Sequence, residues 1–138
     1  PLIYALLFGM PGIPCIYYGS EWGERADKNQ GDPALRPSFD KPVFNELSAY
    51  IAKLSHIKKS QQALNYGDFT SVVLTNRQCI FKRSCNGENI YVAINADENS
   101  FSCSFNSEKD TFTDLISGNN IAVKPDFEMK GYTAYILK

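Results

Sequence analysis

The chain has 138 residues, with 14 Lys or Arg against 15 Asp or Glu, and its formal net charge is −1. A balance so close to neutral provides no basic surface for nucleic acid or for an anionic membrane, and we expect neither as a partner. The length is sufficient for one modest domain with a core of its own.

Residues 1–19 carry no charge, and by length alone they could cross a membrane. Two glycines and two prolines lie between positions 9 and 14, however, and they would break a spanning helix. The stretch therefore predicts two short buried elements, a helix end over residues 2–8 and a strand over residues 15–18, joined by a tight connection.

A strand that is apolar on both faces belongs in a covered parallel sheet. The predicted strand runs directly into Gly19-Ser20-Glu21-Trp22-Gly23, which opens a polar segment extending to position 41. Barrels of the α/β class carry their chemistry on loops at the carboxyl ends of strands, and unstructured loops of this length are usually functional or disordered. The segment 20–41 is therefore the candidate functional loop.

A helix is predicted over residues 42–62, because apolar side chains recur there at helical spacing. They are Phe44, Leu47, Ile51, Leu54 and Ile57. Pro42 suits the first turn of such a helix, and Asp40 or Ser38 is the predicted cap.

From Ala63 onwards the apolar pattern changes to a period of two, and turn residues separate the runs. The predicted strands are Asp68–Thr75, Gln78–Ser84, Asn89–Ala96, Ser100–Asn106, Thr111–Ser117 and Gly131–Leu137. Short strands at this regular spacing favour an antiparallel sandwich.

The run PGIPCIYYGSEWG resembles the eighth barrel strand of the α-amylase superfamily, glycoside hydrolase family 13, whose common form is close to P-G-x-P-x-I-Y-Y-G-[DS]-E-x-G. The segment GDPALRP at residues 31–37 continues the resemblance, while Ser20 stands where the family most often has Asp. The resemblance is dense over residues 9–37 and rests on layout alone beyond residue 65.

The resemblance implies an α+β fold as a fragment, a mainly antiparallel β-sandwich preceded by remnants of a TIM barrel. Residues 1–62 would be the last helix, strand and helix of the catalytic (β/α)₈ barrel, and residues 63–138 the C-terminal all-β domain. A complete barrel needs about 250 residues. Because the chain is shorter and opens on Pro1, we expect it to be the C-terminal part of a larger enzyme.

The implied activity of the parent enzyme is retaining hydrolysis or transglycosylation of an α-glucan or oligosaccharide. Retaining catalysis needs two carboxyl groups about 5–5.5 Å apart. The family carries its catalytic carboxylates after the fourth, fifth and seventh strands, all of them before the eighth. We therefore expect no catalytic residue in this chain and no hydrolysis by the chain alone.

The resemblance implies that this chain contributes only the rim of the parent enzyme's active site. The predicted substrate-binding residues are Tyr18, Glu21, Trp22 and Arg36. Three of them have a structural alternative. Glu21 would instead pair with Arg25 or Arg36, Trp22 would be buried packing, and Arg36 would brace the loop. A catalytic dyad within the loop, built from its own carboxylates, is the disfavoured alternative.

Cysteines 15, 79, 85 and 103 have no metal-ligand spacing, and neither a metal nor a cofactor is expected. Cys15 is predicted to be a small buried residue in the strand. Free thiols are favoured, and with them a cytoplasmic protein, while a disulfide among the last three cysteines stays open.

Two other functions remain open, a carbohydrate-binding module and a structural domain without ligand. Exposed aromatics in the β-region, Tyr91, Phe112 and Tyr132 among them, would favour the binding module, and their burial would favour packing. A further expectation concerns residues 1–18, which lack their barrel neighbours. An apolar surface of that size either docks on the β-domain or is covered by self-association.

Overall fold

The computed structural model describes residues 1–138, which form four α-helices and eight β-strands. The helices are Leu2–Gly9 (α1), Asp32–Leu35 (α2), Glu46–Ser60 (α3) and Gln62–Tyr66 (α4). The strands are Asp68–Leu74 (β1), Gln78–Cys85 (β2), Glu88–Asn95 (β3), Phe101–Cys103 (β4), Thr111–Thr113 (β5), Asn120–Ala122 (β6), Phe127–Met129 (β7) and Thr133–Leu137 (β8). Short 3₁₀ turns at Ser20–Trp22 and Lys28–Gln30 occupy the loop before α2.

The central layer is an antiparallel four-stranded sheet in the order β1-β2-β3-β8. Strands β2 and β3 pair without interruption from Gln78 opposite Asn95 to Cys85 opposite Glu88. The turn between them has positive φ at Asn86 and Gly87, as a type I′ hairpin requires. The Asn-Gly pair therefore sets the register of the two longest strands.

Two small antiparallel pairs, β4-β7 and β5-β6, cover one face of this sheet. Four of the six predicted strands match their observed bounds to within two residues, while β4 and β5 are only three residues long. Strands β6 and β7 were not predicted, because an alternation cannot be recognised over three residues. The mainly antiparallel, sandwich-like β-region is confirmed.

Two hydrophobic clusters lie on opposite faces of the central sheet, and adjacent residues of one strand belong to different clusters. Phe81 and Val92 face the helices, whereas Ile80 and Tyr91 face the small strand pairs. Strand β3 is therefore buried on both sides. The outcome is three layers, with helices, central sheet and small strand pairs in that order.

Helix α3 begins at a capping box rather than at the predicted proline. The Asn45 side chain accepts a hydrogen bond from the Ser48 N–H at 3.0 Å, and the Ser48 hydroxyl accepts one from the Asn45 N–H at 3.2 Å. Pro42 and the 80% exposed Phe44 precede the helix, so the predictions of a start at residue 42 and of a cap at Asp40 or Ser38 were wrong. Ile51, with Leu54 and Ile57 further along, packs into the core as the stripe predicts.

The predicted strand at residues 15–18 is absent. Residues 13–17 run outside any strand, and the main-chain polar groups of residues 13–16 form no backbone hydrogen bond. A strand exists only when another strand pairs with it, and no strand of this chain pairs with these residues. Cys15 is accordingly exposed rather than buried, and all four cysteines are free.

Helix α1 packs directly on the central sheet. Ala5 and Phe8 are buried in the helix-side cluster, and a Cβ on Gly9 would lie 3.0 Å from Phe81 and from Val92. Helix α1 thus docks on the β-region, which is one of the two outcomes expected for residues 1–18. Ile3, however, remains 71% exposed on the outer face of the helix.

Two buried cations hold the C-terminal end of α1. The Lys58 Nζ donates to the carbonyls of Phe8, Met10 and Leu64 at 3.2, 3.0 and 3.0 Å. Arg83 on β2 donates to the Gly9 carbonyl at 2.8 Å. Burial lowers the pKa of Lys58, and the neighbouring guanidinium lowers it further. Cations stabilise a helix at this end, where its last carbonyls have no intrahelical partner.

The outer edge of β8 is closed by residues 113–115. The main chains of Thr113 and Lys138 exchange two hydrogen bonds of 3.0 and 2.9 Å. The buried Asp114 carboxylate accepts a third from the Ile136 N–H at 3.0 Å.

No helix in the structure has both the length and the hydropathy needed to span a membrane.

Candidate functional site

The motif identified in the sequence folds as a tight turn over residues 19–23. Gly19 and Gly23 have φ values of 86° and 81°, which favour glycine over any residue with a side chain. The Gly19 carbonyl accepts hydrogen bonds from the N–H groups of Trp22 and Glu24 at 3.4 and 3.0 Å. A Cβ on Gly19 would also lie 3.0 Å from the Phe39 ring. Steric constraints therefore favour glycine at both of these positions in the turn.

The turn is attached to a helix on each side. The Tyr4 hydroxyl of α1 donates to the Ser20 carbonyl at 2.8 Å. The Asn45 amide, which also caps α3, donates to the Trp22 carbonyl at 2.9 Å. Asn45 thus joins the start of α3 to the loop, and the turn holds its place although residues 13–17 have no sheet partner.

Phe39 lies between two of the predicted site residues. Its ring makes edge-to-face contacts with Tyr18 at 5.9 Å and with Trp22 at 5.0 Å between centroids. Tyr17 stacks at a tilt on Tyr18 at 4.7 Å. The four rings form one aromatic cluster along the turn, and such contacts stabilise beyond the area they bury.

Tyr18 faces a small concavity of 180 Å³ whose lining includes Glu24, Leu35 and Pro37. The Tyr18 side chain is 46% exposed. Partial desolvation and the neighbouring Tyr17 raise the pKa of Tyr18, and the positive charge of Arg36 opposes that rise. Both Tyr18 and Arg36 are exposed and accessible to a ligand.

Glu21 and Trp22 line a different concavity, a cleft of 460 Å³ between the turn and α3. The Glu21 Oε2 and the Trp22 Nε1 are buried and have no hydrogen-bond partner. No ion pair links Glu21 to Arg25 or Arg36, so the predicted loop-bracing pair is absent. The structure thus places Glu21 and Trp22 in a different concavity from Tyr18, and Arg36 lines neither.

The chain has no cluster of side chains with the composition of a metal site. No group of three or more His, Cys, Asp or Glu side chains is placed to bind a metal ion. His56 is exposed on α3. In the β-region, Tyr91 and Phe112 are core residues exposed by 1% and 3%, whereas Tyr132 is 65% exposed. The aromatics that would have formed a stacking surface are mostly core.

Comparisons with known proteins agree with this geometry. No family model matches the chain. It is 30% identical, over 95% of its length, to the cyclomaltodextrinase of Thermoanaerobacter pseudethanolicus, and 30% identical over 96% to the cyclomaltodextrin glucanotransferase of Thermoanaerobacterium thermosulfurigenes. The chain belongs to the α-amylase superfamily. It covers 23% and 20% of these two relatives and corresponds to the C-terminal part of such an enzyme, as the motif predicts.

Solved structures of the superfamily have the same fold. An Anoxybacillus α-amylase superposes on 99% of the chain with a TM-score of 0.84 and 27% identity, and the chain covers 31% of it. The α-amylase of Geobacillus thermoleovorans, solved with acarbose, covers 99% of the chain with a TM-score of 0.86 and 23% identity. The chain covers 32% of that structure.

Sequence reasoning missed three residues that build the turn, Tyr4, Phe39 and Asn45. Asn45 had a recognisable signal, because asparagine directly before a polar residue and an apolar helical stripe is typical of an N-cap. Tyr4 and Phe39 act across 16 or more positions or through ring contacts, and no local pattern marks them.

Proposed function

We propose that the chain is the C-terminal part of an enzyme that hydrolyses or transfers α-linked glucans with retention. The observation that carries this proposal is the turn at residues 19–23, in which both glycines, the Ser20 carbonyl and the Trp22 carbonyl have defined structural roles. The names of the relatives, which include cyclomaltodextrinase and cyclomaltodextrin glucanotransferase, support the choice of glucan.

In this proposal the parent's catalytic carboxylates lie outside the chain, which supplies part of the substrate rim. Tyr18 and Arg36 contact the sugar from the accessible side of the loop, since a phenol ring and a guanidinium fork suit a sugar face and its hydroxyls. Glu21 and Trp22 face a sugar only from the α3 side, through the surface that they present to the cleft there, since the Oε2 and Nε1 atoms are buried.

The test uses the longer enzyme that contains this chain. Tyr18→Ala and Arg36→Ala should each lower kcat/KM on maltooligosaccharides about tenfold, the value of one lost contact of about 1.4 kcal/mol. Lys28→Ala, at an exposed position of the same loop, is the matched control. Unchanged kinetics in both variants would remove the rim role, and absence of any α-glucan activity in the longer enzyme would remove the function.

The chain alone should release no product from maltoheptaose, because it holds no pair of carboxyl groups with the roles that retaining catalysis needs. Turnover by the purified 138-residue chain would contradict this. A structural role for the β-domain is favoured over a carbohydrate-binding module, since Tyr91 and Phe112 are core residues. The domain then serves to cover α1 and α3, the two helices that hold the turn.

We also propose that the chain, taken by itself, associates through residues 1–18. The main-chain polar groups of residues 13–16 form no backbone hydrogen bond. An apolar groove of 260 Å³ lies beside them, with Ile3, Leu7 and Tyr17 in its lining. An unpaired extended segment next to exposed apolar side chains is a site for pairing with another chain, here a second copy.

A further inference from the structure

A third concavity lies at the opposite end of the extended segment from the turn. Its volume is 510 Å³, and its lining includes Ile13, Pro14, Ser55, Lys59, Asn65 and Tyr66. Pro14 lies four positions before Tyr18, a path of about 13 Å along the extended chain. This concavity, which we name the α3–α4 pocket, shares no lining residue with the concavity beside Tyr18 and adjoins the cleft beside Glu21 and Trp22, since Phe8 and Ser55 line both.

The floor of the α3–α4 pocket is fixed by Lys58. Its ammonium group has three donors, and the carbonyls of Phe8, Met10 and Leu64 take all three. Lys58 therefore has no hydrogen left for a ligand. Its own main-chain carbonyl, together with that of Gln61, accepts from the Asn65 amide at 2.7 and 2.9 Å. These bonds orient the Asn65 side chain and leave its Oδ1 without a partner.

Four polar groups around the pocket form no hydrogen bond within the chain. They are the Ser55 hydroxyl, the Lys59 ammonium, the Asn65 Oδ1 and the Tyr66 hydroxyl. The set contains donors and acceptors but no carboxylate. Tyr66 ends α4 with its side chain 83% exposed, so its ring offers an open aromatic face beside these groups.

This combination matches a neutral sugar better than an ion. A pyranose ring has an apolar C–H face that packs on an aromatic ring, and hydroxyls that both donate and accept hydrogen bonds. An anion would need several charged hydrogen-bond donors that converge on it. Only Lys59 has such donors free, since the three N–H groups of Lys58 bind carbonyls. A cation would need oxygen ligands that carry charge, and none lines the pocket.

We propose that the α3–α4 pocket is a second saccharide site, in which Tyr66 stacks on a sugar ring and Ser55, Lys59 and Asn65 bind its hydroxyls. The choice of an α-glucan oligomer as the sugar rests on the proposed function; the pocket and its chemistry do not. In this role the pocket retains or orients a bound oligosaccharide.

The experiment is a titration of the isotope-labelled 138-residue chain with maltoheptaose, followed by backbone NMR at a concentration where the chain is monodisperse. Amide shifts should change at residues 12, 13, 55, 59, 65 and 66. Tyr66→Ala should weaken this binding about tenfold, and Tyr66→Phe should retain most of it. Lys59→Ala, which removes an exposed donor, should weaken it by a smaller factor. Tyr132→Ala, at another exposed tyrosine, is the control and should leave the affinity unchanged.

The outcomes separate this proposal from the rim proposal. Shifts confined to residues 17–36 would overturn the α3–α4 pocket and support the rim. Shifts at the pocket that persist in Tyr18→Ala support a second site, whatever the rim does. A pocket that responds to sodium phosphate but not to maltoheptaose is an anion site, which would overturn the proposal, as would the absence of any shift with maltoheptaose.

Discussion

Lys58 and Arg83 are buried at 6% and 1% exposure, and main-chain carbonyls rather than carboxylates surround them. Burial lowers the pKa of both groups. Their charge is compensated by carbonyl dipoles at the end of α1, where a helix carries partial negative charge. Lys58 joins the end of α1 to α3 and α4, and Arg83 joins it to β2, links that neither charge pattern nor spacing in the sequence reveals.

Lys58→Met keeps the length of the side chain and removes its three hydrogen bonds. Because the buried carbonyls of Phe8 and Leu64 would lose a partner, the free energy of unfolding should fall by about 2 kcal/mol. Urea denaturation followed by Trp22 fluorescence measures the change. Lys53→Met, at an exposed position of the same helix, should change it by less than about 0.5 kcal/mol. Equal effects in the two variants would contradict a structural role for Lys58.

Glu88 is a carboxylate whose stabilising effect should depend on pH. Burial raises its pKa, but hydrogen bonds from the Ala63 N–H at 2.7 Å and from Lys138 outweigh burial, and the net pKa is lowered. Because the folded pKa lies below the unfolded value, the stabilisation is complete above the unfolded pKa and is lost as the pH falls through the folded one.

The measurement compares the chain with Glu88→Gln by urea denaturation between pH 7 and pH 3. At pH 7 the variant should be less stable by about 1 kcal/mol, since it loses a charge-assisted hydrogen bond. The difference should shrink below pH 4.5, the ordinary value for a glutamate. A difference that stays constant over this range would show that the charge of Glu88 has no part in it.

At the scale of elements, α3 and the turn share one residue. Asn45→Ala removes the helix cap and the bond to the Trp22 carbonyl, and should lower stability by about 1 kcal/mol. Asn45→Ser retains a capping oxygen but cannot reach that carbonyl, so it separates the two roles. If the turn depends on Asn45, both variants will shift the Trp22 emission, whereas only Asn45→Ala will lower helix stability. An unchanged emission in both variants would contradict the link between cap and turn.

Elements with long patterns were predictable and elements that depend on distant partners were not. The alternation in β2 and β3 extends over eight residues, and its bounds follow from sequence. The three-residue strands β6 and β7 exist because β5 and β4 pair with them. Residues 15–18 show the converse, since they have a strand's composition and no partner. Within the site, the motif identified the turn, while Tyr4 and Phe39 contact it across distances that no local pattern records.

At the scale of the whole molecule, a single helix-side core joins both predicted domains. Leu54 of α3, Ala5 of α1 and Ile136 of β8 all belong to this one cluster. The boundary predicted at residue 62 follows the change from helical to period-two patterning, and packing crosses that boundary. A β-region that shares its core with α1 and α3 is suited to support these helices.

The open surface of residues 1–18 leads to a prediction about assembly. Ile3 is 71% exposed beside the unpaired segment. A charged residue at this position would weaken an apolar contact between two copies, because its charge would be buried there. The unmodified chain should show concentration-dependent association in sedimentation velocity, and Ile3→Glu should shift it towards the monomer. Leu74→Glu, at a 77% exposed position on the edge strand β1, is the matched control and should leave the association unchanged. If Leu74→Glu abolishes association while Ile3→Glu does not, the copies meet through the edge of the sheet instead. A chain that stays monomeric at every concentration would show that docking of α1 on the sheet is sufficient cover.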